Sequence, residues 1–246
     1  MQELLEPLKA ESLVDVFVRR FEELILSGKI SMGQKLPSER ELALQLGVSR
    51  PVVHEGLLDL EAKGLVTLIP RVGTVVNDYR REGSLTLLNS LVNYHQGRLE
   101  KGILESLLRM RALFELETAR LAAQNRSEEQ LEEFKALLGE EQKVNRMEIE
   151  RITDLDFRFH LLVAVASGNV IYPLLMNSFR QVYTNLTYQF FSDPSVVDFV
   201  FASHASLTKA IEKRDAATTA QIMTAIMTHG ENMLKFQLKS ETSEED

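Results

Sequence analysis

Residues 36–76 read LPSERELALQLGVSRPVVHEGLLDLEAKGLVTLIPRVGTVV, and nearly every position has a local physical task. Ser38 followed by Glu41 is an S-x-x-E capping box, so a helix starts there, with Pro37 barring extension backwards. Leu42 and Leu46 lie four apart on one face of that helix, and Gly47 supplies its left-handed stop. Val48 fills the corner, and Ser49 caps a second helix that buries Val53, Leu57 and Leu60 and ends at Gly64. Pro51 falls in its first turn, where the missing N–H costs little. Two β-branched runs follow, Leu65 to Ile69 and Thr74 to Asn77, joined by Pro70-Arg71-Val72-Gly73. Helix, tight turn, helix and two-stranded ribbon make a winged helix-turn-helix, whose second helix enters a DNA major groove with the ribbon tip alongside. A plain αα corner shares the helix spacing. The ribbon, with Arg40, Arg50 and Arg71 at the three DNA-facing points, favours the winged motif.

Outside this stretch, composition narrows the possibilities. The chain has 246 residues, 44% hydrophobic, enough for one large or two small domains with real cores. It has no cysteine, so disulfides and thiolate metal sites are excluded, which fits a reducing cytoplasm. No basic segment leads into an apolar core, and no apolar run approaches eighteen residues, so a soluble, cytoplasmic protein with no membrane partner is expected. Charge pulls against the DNA reading. The net charge is -8, and residues 1–78 carry nine Lys/Arg against twelve Asp/Glu. Placement offsets this in part, because six of those acidic residues precede the motif while the arginines sit on its DNA face.

Periodicity divides the rest. Residues 1–10 have no pattern and are expected to fray; Val14, Phe17, Phe21, Leu24 and Ile25 form a helical stripe stopped at Ser27-Gly28. Residues 32–35 read as loop. The domain expectation is a winged helix over 1–78, a polar linker over 79–84, an all-α domain of about seven helices over 85–238 and a disordered acidic tail over 239–246. The fold class is thus mainly α, with β confined to the wing. Within the second domain, helices are predicted near 85–94, 104–123, 127–138, 152–166, 173–191, 194–213 and 215–238. Ser127-Glu-Glu-Gln130, Asp193-Pro194 and Asp215 mark three of their starts.

Three histidines of this domain lie on or beside apolar stripes of separate helices. Asp156 and His160, four apart, emerge from adjacent turns of one face. His204 continues Val197, Val200, Phe201, Leu207 and Ile211; His229 continues Ile222, Ile226 and Met233. A carboxylate and three imidazoles directed into one bundle suit a divalent metal such as zinc, nickel or manganese. Satisfied core histidines are the plainer alternative, and both remain open on the pattern alone.

The phrases LPSERELA, LGVSR, LEAKGLV and GTVV, in this order, resemble the DNA-binding domain of GntR-type bacterial transcription regulators. Beyond the linker the chain resembles the FCD-type ligand-sensing domain of the FadR branch of that family, through Arg111-Ala-Leu-Phe-Glu115, Ala119 to Ala123, Asp156 to His160, ASGN at 166–169, and His204 with Ala210 and Asp215. The resemblance implies a homodimer on an inverted-repeat, double-stranded operator, usually a repressor, contacting DNA through Arg40, Ser49, Arg50, His54, Arg71 and Gly73. Many members bind a metal through an Asp and a His four apart plus two later histidines, which Asp156, His160 and His204 match. The last histidine of that pattern would fall at Ile226; His229 lies three residues beyond. His54 also departs from the family, which commonly carries arginine there, so the operator is expected to differ.

A second resemblance points elsewhere. Residues 166–197 are closer to the fatty-acid regulators of the branch, which sense long-chain acyl-CoA without a metal, and the aromatic excess there (Tyr172, Phe179, Tyr183, Tyr188, Phe190, Phe191) suits an acyl tunnel as well as a bundle core. Arg111 and Tyr183 are the candidate effector-pocket residues. The expected function is a ligand-responsive transcription regulator sensing a small carboxylate through a divalent metal. The alternatives are an acyl-CoA sensor and, from another class, a metal-dependent hydrolase, against which stands the lack of a general base at a recognisable spacing.

Overall fold

The computed structural model describes residues 11–94 and 101–242, which fall into two compact units divided between residues 98 and 99. In the first, α1 (Leu13–Leu26) is capped by Ser12, whose Oγ accepts from the Asp15 N–H at 3.1 Å. Helix α2 (Glu39–Leu46) opens on the full capping box: Ser38 Oγ accepts from the Glu41 N–H, and Glu41 accepts from the Ser38 N–H at 2.8 Å. Gly47, at φ 66°, makes the left-handed stop. Helix α3 (Arg50–Ala62) has Ser49 at its N-cap, though that side chain makes no cap hydrogen bond. Val53, Leu57 and Leu60 of α3 are fully buried against Phe17, Phe21 and Ile25 of α1, each leucine stabilising by roughly 2–3 kcal/mol of removed apolar surface.

Strands β1 (Val66–Ile69) and β2 (Gly73–Val76) pair antiparallel with Val66 opposite Val76 and Ile69 opposite Gly73. Residues 32–35, expected as plain loop, border the ribbon: Lys35 bridges Val75, and the Leu36 N–H donates to Thr74 O at 2.8 Å. The expected linker at 79–84 is a helical turn, α4 (Tyr79–Glu82), followed by α5 (Leu87–Tyr94). Both are tied to the first unit. Ser84 Oγ donates to Ala62 O at 3.0 Å, Ser90 Oγ donates to the buried Glu22 carboxylate at 2.6 Å, and Leu87 joins the core. Gly64 makes this approach possible: at φ 78°, a Cβ there would lie 2.0 Å from Glu82 O.

The second unit contains seven α-helices among the described residues: α6 (Lys101–Asn125), α7 (Glu128–Glu141), α8 (Ile149–Ala166), α9 (Ile171–Ser178), α10 (Arg180–Phe191), α11 (Val197–Glu212) and α12 (Ala216–Thr242). No strand occurs in it among those residues. Helix α8 is the axis, and Leu155, Phe159, Leu162 and Val163 are packed against Ala119, Phe134, Leu207 and Met223 of its neighbours. The single helix expected over 173–191 is two. The Phe179 N–H is shared between the Leu175 and Met176 carbonyls, which tightens the turn, and Phe179 sits in the bridge region at φ -93°, ψ 0°. Asp193 caps a short 3₁₀ turn at Pro194–Val196 before α11 begins. Helix α12 runs through Thr242, beyond the expected end at 238, so the first four residues of the expected tail are helical. The expected frayed end at residues 1–10 and residues 243–246 lie outside the described residues.

Candidate DNA-reading face and buried polar centre

In the first unit, the residues predicted to meet DNA are exposed: Arg40 on α2, Ser49 and the α3 residues Arg50 and His54, and Arg71 and Gly73 at the ribbon tip. Arg71 adopts a left-handed backbone at φ 65°, which turns the ribbon. Sequence reasoning did not anticipate Glu39. Its carboxylate accepts from Arg50 Nε at 2.9 Å and bonds His54 Nδ1 at 2.8 Å, drawing both α3 side chains to the first residue of α2. The hydrogen bond from His54, then that from Arg50, holds the Glu39 carboxyl below its ordinary value.

The second unit encloses a polar centre. Asp156 and His160 of α8 and His204 of α11 are buried, and one ligand atom from each lies within 4.8 Å of the others. Asp156 Oδ1 is 3.8 Å from His160 Nε2 and 3.7 Å from His204 Nε2. Neither Nε2 has a hydrogen-bond partner. Both Nδ1 atoms do: His204 bonds the buried Glu141 at the end of α7 at 2.7 Å, and His160 bonds the buried Glu115 of α6. A neutral imidazole that donates through Nδ1 leaves a lone pair on Nε2, so the two carboxylates orient two free lone pairs toward one Asp156 oxygen. Phe159 stacks on the His204 ring at 3.8 Å and fixes its plane.

A relay of hydrogen bonds supports Asp156. Arg111 Nη2 donates to the Tyr183 hydroxyl at 2.7 Å, and that hydroxyl donates to Asp156 Oδ2 at 2.8 Å. Arg111 Nε donates to Glu115 at 2.7 Å, and its guanidinium lies 4.2 Å above the Tyr183 ring. Burial pushes the Tyr183 phenol well up, so it stays a donor. Burial alone would raise Glu115, yet His160 and Arg111 hold it down to about 2. Burial alone would lower His160, but Glu115 and Asp156 outweigh it and raise it above the ordinary imidazole value.

This donor set fits a divalent cation. Three buried carboxylates (Glu115, Glu141, Asp156) face one guanidinium, so with both imidazoles deprotonated, as ligation requires, two negative charges are left for a cation to balance. His229, the expected fourth ligand, is not in the cluster: its ring packs 4.1 Å from that of Phe199. One helical turn earlier, Ile226 stands where the ligand was expected and lines, with Asp156, His160 and Arg111, a cavity of about 30 Å³. Glu115 and Glu141 were legible in principle, since each is a charged residue in phase with an apolar stripe: Leu108, Arg111, Glu115, Ala119 on α6 and Phe134, Leu137, Glu141 on α7.

The family model for bacterial regulatory proteins of the gntR family matches residues 13–76, and that for the FCD domain matches residues 106–229. The chain belongs to the GntR family, with an FCD domain. Among relatives, this GntR protein is 35% identical to the HTH-type transcriptional regulator Mce2R of Mycobacterium tuberculosis over 184 residues, 73% of each chain. It is 26% identical to the fatty acid metabolism regulator protein of Proteus mirabilis over 91% of this chain and 90% of that one. A solved structure, that of Lar from Listeria monocytogenes, aligns over 93% of this chain and 99% of its own with a TM-score of 0.64 at 17% identity, a likeness of fold. The protein is a DNA-binding transcription regulator, as its relatives and structural neighbours are. No helix among the described residues is long and apolar enough to cross a membrane.

Proposed function

We propose that this regulator senses a small carboxylate-bearing metabolite through a divalent cation held by Asp156, His160 and His204. The observation that carries the reading is the pair of partnerless Nε2 atoms, 3.8 and 3.7 Å from one Asp156 oxygen, each with its Nδ1 held by a buried glutamate. Zinc, nickel or manganese suit one carboxylate and two imidazoles, and such an ion supplies a Lewis-acid centre for an effector oxygen. Tyr183 and Arg111 keep Asp156 oriented, and Arg111 brings a positive charge to the cavity wall. The long-chain acyl-CoA alternative has less support. Phe190 and Phe191 are buried in the core, and the cavities beside Arg111 measure about 30 and 40 Å³, on the scale of one or two waters. Native mass spectrometry of the purified protein separates the two: a retained divalent ion, absent from Asp156→Ala, supports the metal, whereas a metal-free protein carrying acyl-CoA refutes it.

The protein acts on this reading as a homodimeric repressor at an inverted repeat, because a two-fold assembly mirrors itself in its operator. The outward face of α6 suits self-association. Leu113 is 69% exposed beside Met110 and a cleft of about 650 Å³ that reaches Tyr172. Arg109 and Glu117 flank Leu113 by four residues on either side, so a two-fold axis there sets each arginine against the other copy's glutamate. Leu113→Glu should yield monomers in sedimentation; an unchanged dimer would move the interface elsewhere.

A further inference from the structure

An acidic side chain on the DNA-reading face of an already acidic protein calls for a reason, because every carboxylate there opposes phosphate attraction. Glu39 is such a group. It stands at the first position of α2, its side chain 23% exposed, and both its oxygens are engaged by α3: Oε2 by Arg50 Nε, Oε1 by His54 Nδ1. Helix support is not a sufficient reason for it, since Ser38 and Glu41 already close the capping box.

The chemistry of the two partners supplies one. Arginine reads guanine through two parallel N–H bonds to O6 and N7. The bond to Glu39 uses Nε, which leaves the terminal Nη1 and Nη2 as a fork and restricts the rotation of a side chain that is 73% exposed. His54 presents a choice. A neutral imidazole carries one N–H, and an Nδ1–H directed at Glu39 turns Nε2 into an acceptor. Arg50 Nε donates to the same carboxylate, so Glu39 already has a cation beside it. In the major groove an acceptor matches the amino groups of cytosine N4 or adenine N6 and is repelled by the keto oxygens of guanine and thymine.

We infer that Glu39 is a positioning residue for base readout, holding Arg50 as a guanine fork and His54 as an acceptor for an amino-bearing base. The inference rests on the DNA-binding role. Arg50 and His54 are four residues apart, about 6 Å along the helix. Their target bases therefore lie within about two steps of each other at 3.4 Å per base pair.

The test is selection of duplexes from a randomised library by the full-length protein at pH 8, with the recovered pools sequenced for wild type, Glu39→Gln and His54→Arg. Thermal melting of each variant controls for folding. Wild type should recover half-sites containing a guanine and, within two steps, a cytosine or adenine. Glu39→Gln should melt as wild type and still bind, with preference at those two positions reduced about tenfold and the others kept. His54→Arg, which has donors only, should shift the second position to guanine. Recovery of the wild-type motif at full strength by Glu39→Gln would overturn the inference, as would a loss equal on selected and random DNA. A wild type that selects no motif would refute specific DNA reading itself, and the inference with it.

Discussion

Replacing Glu141 by glutamine tests the buried centre without touching a ligand atom. In the native protein Glu141 accepts from His204 Nδ1 at 2.7 Å, buried at the end of α7, while its Oε2 has no partner. Glutamine keeps the shape and a carbonyl oxygen that can accept the same N–H. It removes the negative charge that makes His204 Nε2 a stronger donor to a cation, and it buries an amide N–H₂ without an acceptor. Partners of this kind are worth about 10–100-fold in metal affinity, about 1.4–2.7 kcal/mol. Zinc or nickel affinity, measured by competition against a chromophoric chelator, should weaken by that factor in Glu141→Gln. The metal-dependent part of thermal stability should shrink with it, because an ion bound only by the folded state stabilises by mass action. An unchanged affinity would mean that His204 does not ligate through Nε2. Indifference of both proteins to metal and chelator would sink the site.

Further outcomes follow from the same geometry. His160 is raised in the folded protein, so in the metal-free form its contribution is fully present below the unfolded value of about 6.5 and is lost as pH rises through the folded value. A cation requires the deprotonated ring, so melting with chelator should favour pH 6 over pH 8 while the increment from metal grows with pH; a metal increment that shrinks with pH would contradict the site. Ile226→His returns an imidazole to the cavity wall beside Asp156 and His160 and should tighten metal binding while destabilising the metal-free protein; equal affinity would place position 226 outside the shell. Leu57→Ala, at a fully buried position, should cost roughly 2–5 kcal/mol in denaturant unfolding; less than 1 kcal/mol would show that the α1–α3 core repacks. Operator affinity should fall shallowly with salt, by roughly 0.9 log units per decade for each phosphate neutralised, and a slope near -10 would reveal a basic surface that the acidic head does not suggest.

Local signals carried most of the fold. The capping boxes at Ser38 and Ser127 and the stop at Gly47 are contained within four or five residues, and each marks its helix end in the structure. The break at Phe179 was not legible, because nothing in residues 173–191 interrupts the apolar pattern; the turn tightens through shared backbone bonds. The 79–84 segment looked like a linker because it is polar, and polarity alone does not disclose that Gly64 admits Glu82 at van der Waals range or that Ser90 reaches Glu22. In the polar centre, Asp156 and His160 follow from i,i+4 spacing on one helix, whereas Glu141 meets His204 across sixty-three residues, a pairing that periodicity cannot express. His229 shares the face of Ile226 in a helical wheel yet lies a turn away along the axis, and a wheel discards that coordinate.

The composition of that centre bears on what kind of sensor this is. Hydrophobic residues of similar volume would serve stability as well as or better than a buried cluster of three carboxylates, one guanidinium and two imidazoles. An acyl chain bound here would meet charges from which it gains nothing. A small carboxylate would meet Arg111 and any cation held by Asp156, His160 and His204, and the apolar side chain of Ile226 would leave a coordination position unclaimed by protein. A histidine at 226 would compete with the effector for the metal. On the proposed reading, isoleucine there would make effector and metal mutually dependent, each completing the site for the other, and linkage then requires that metal raise effector affinity by the same factor as effector raises metal affinity.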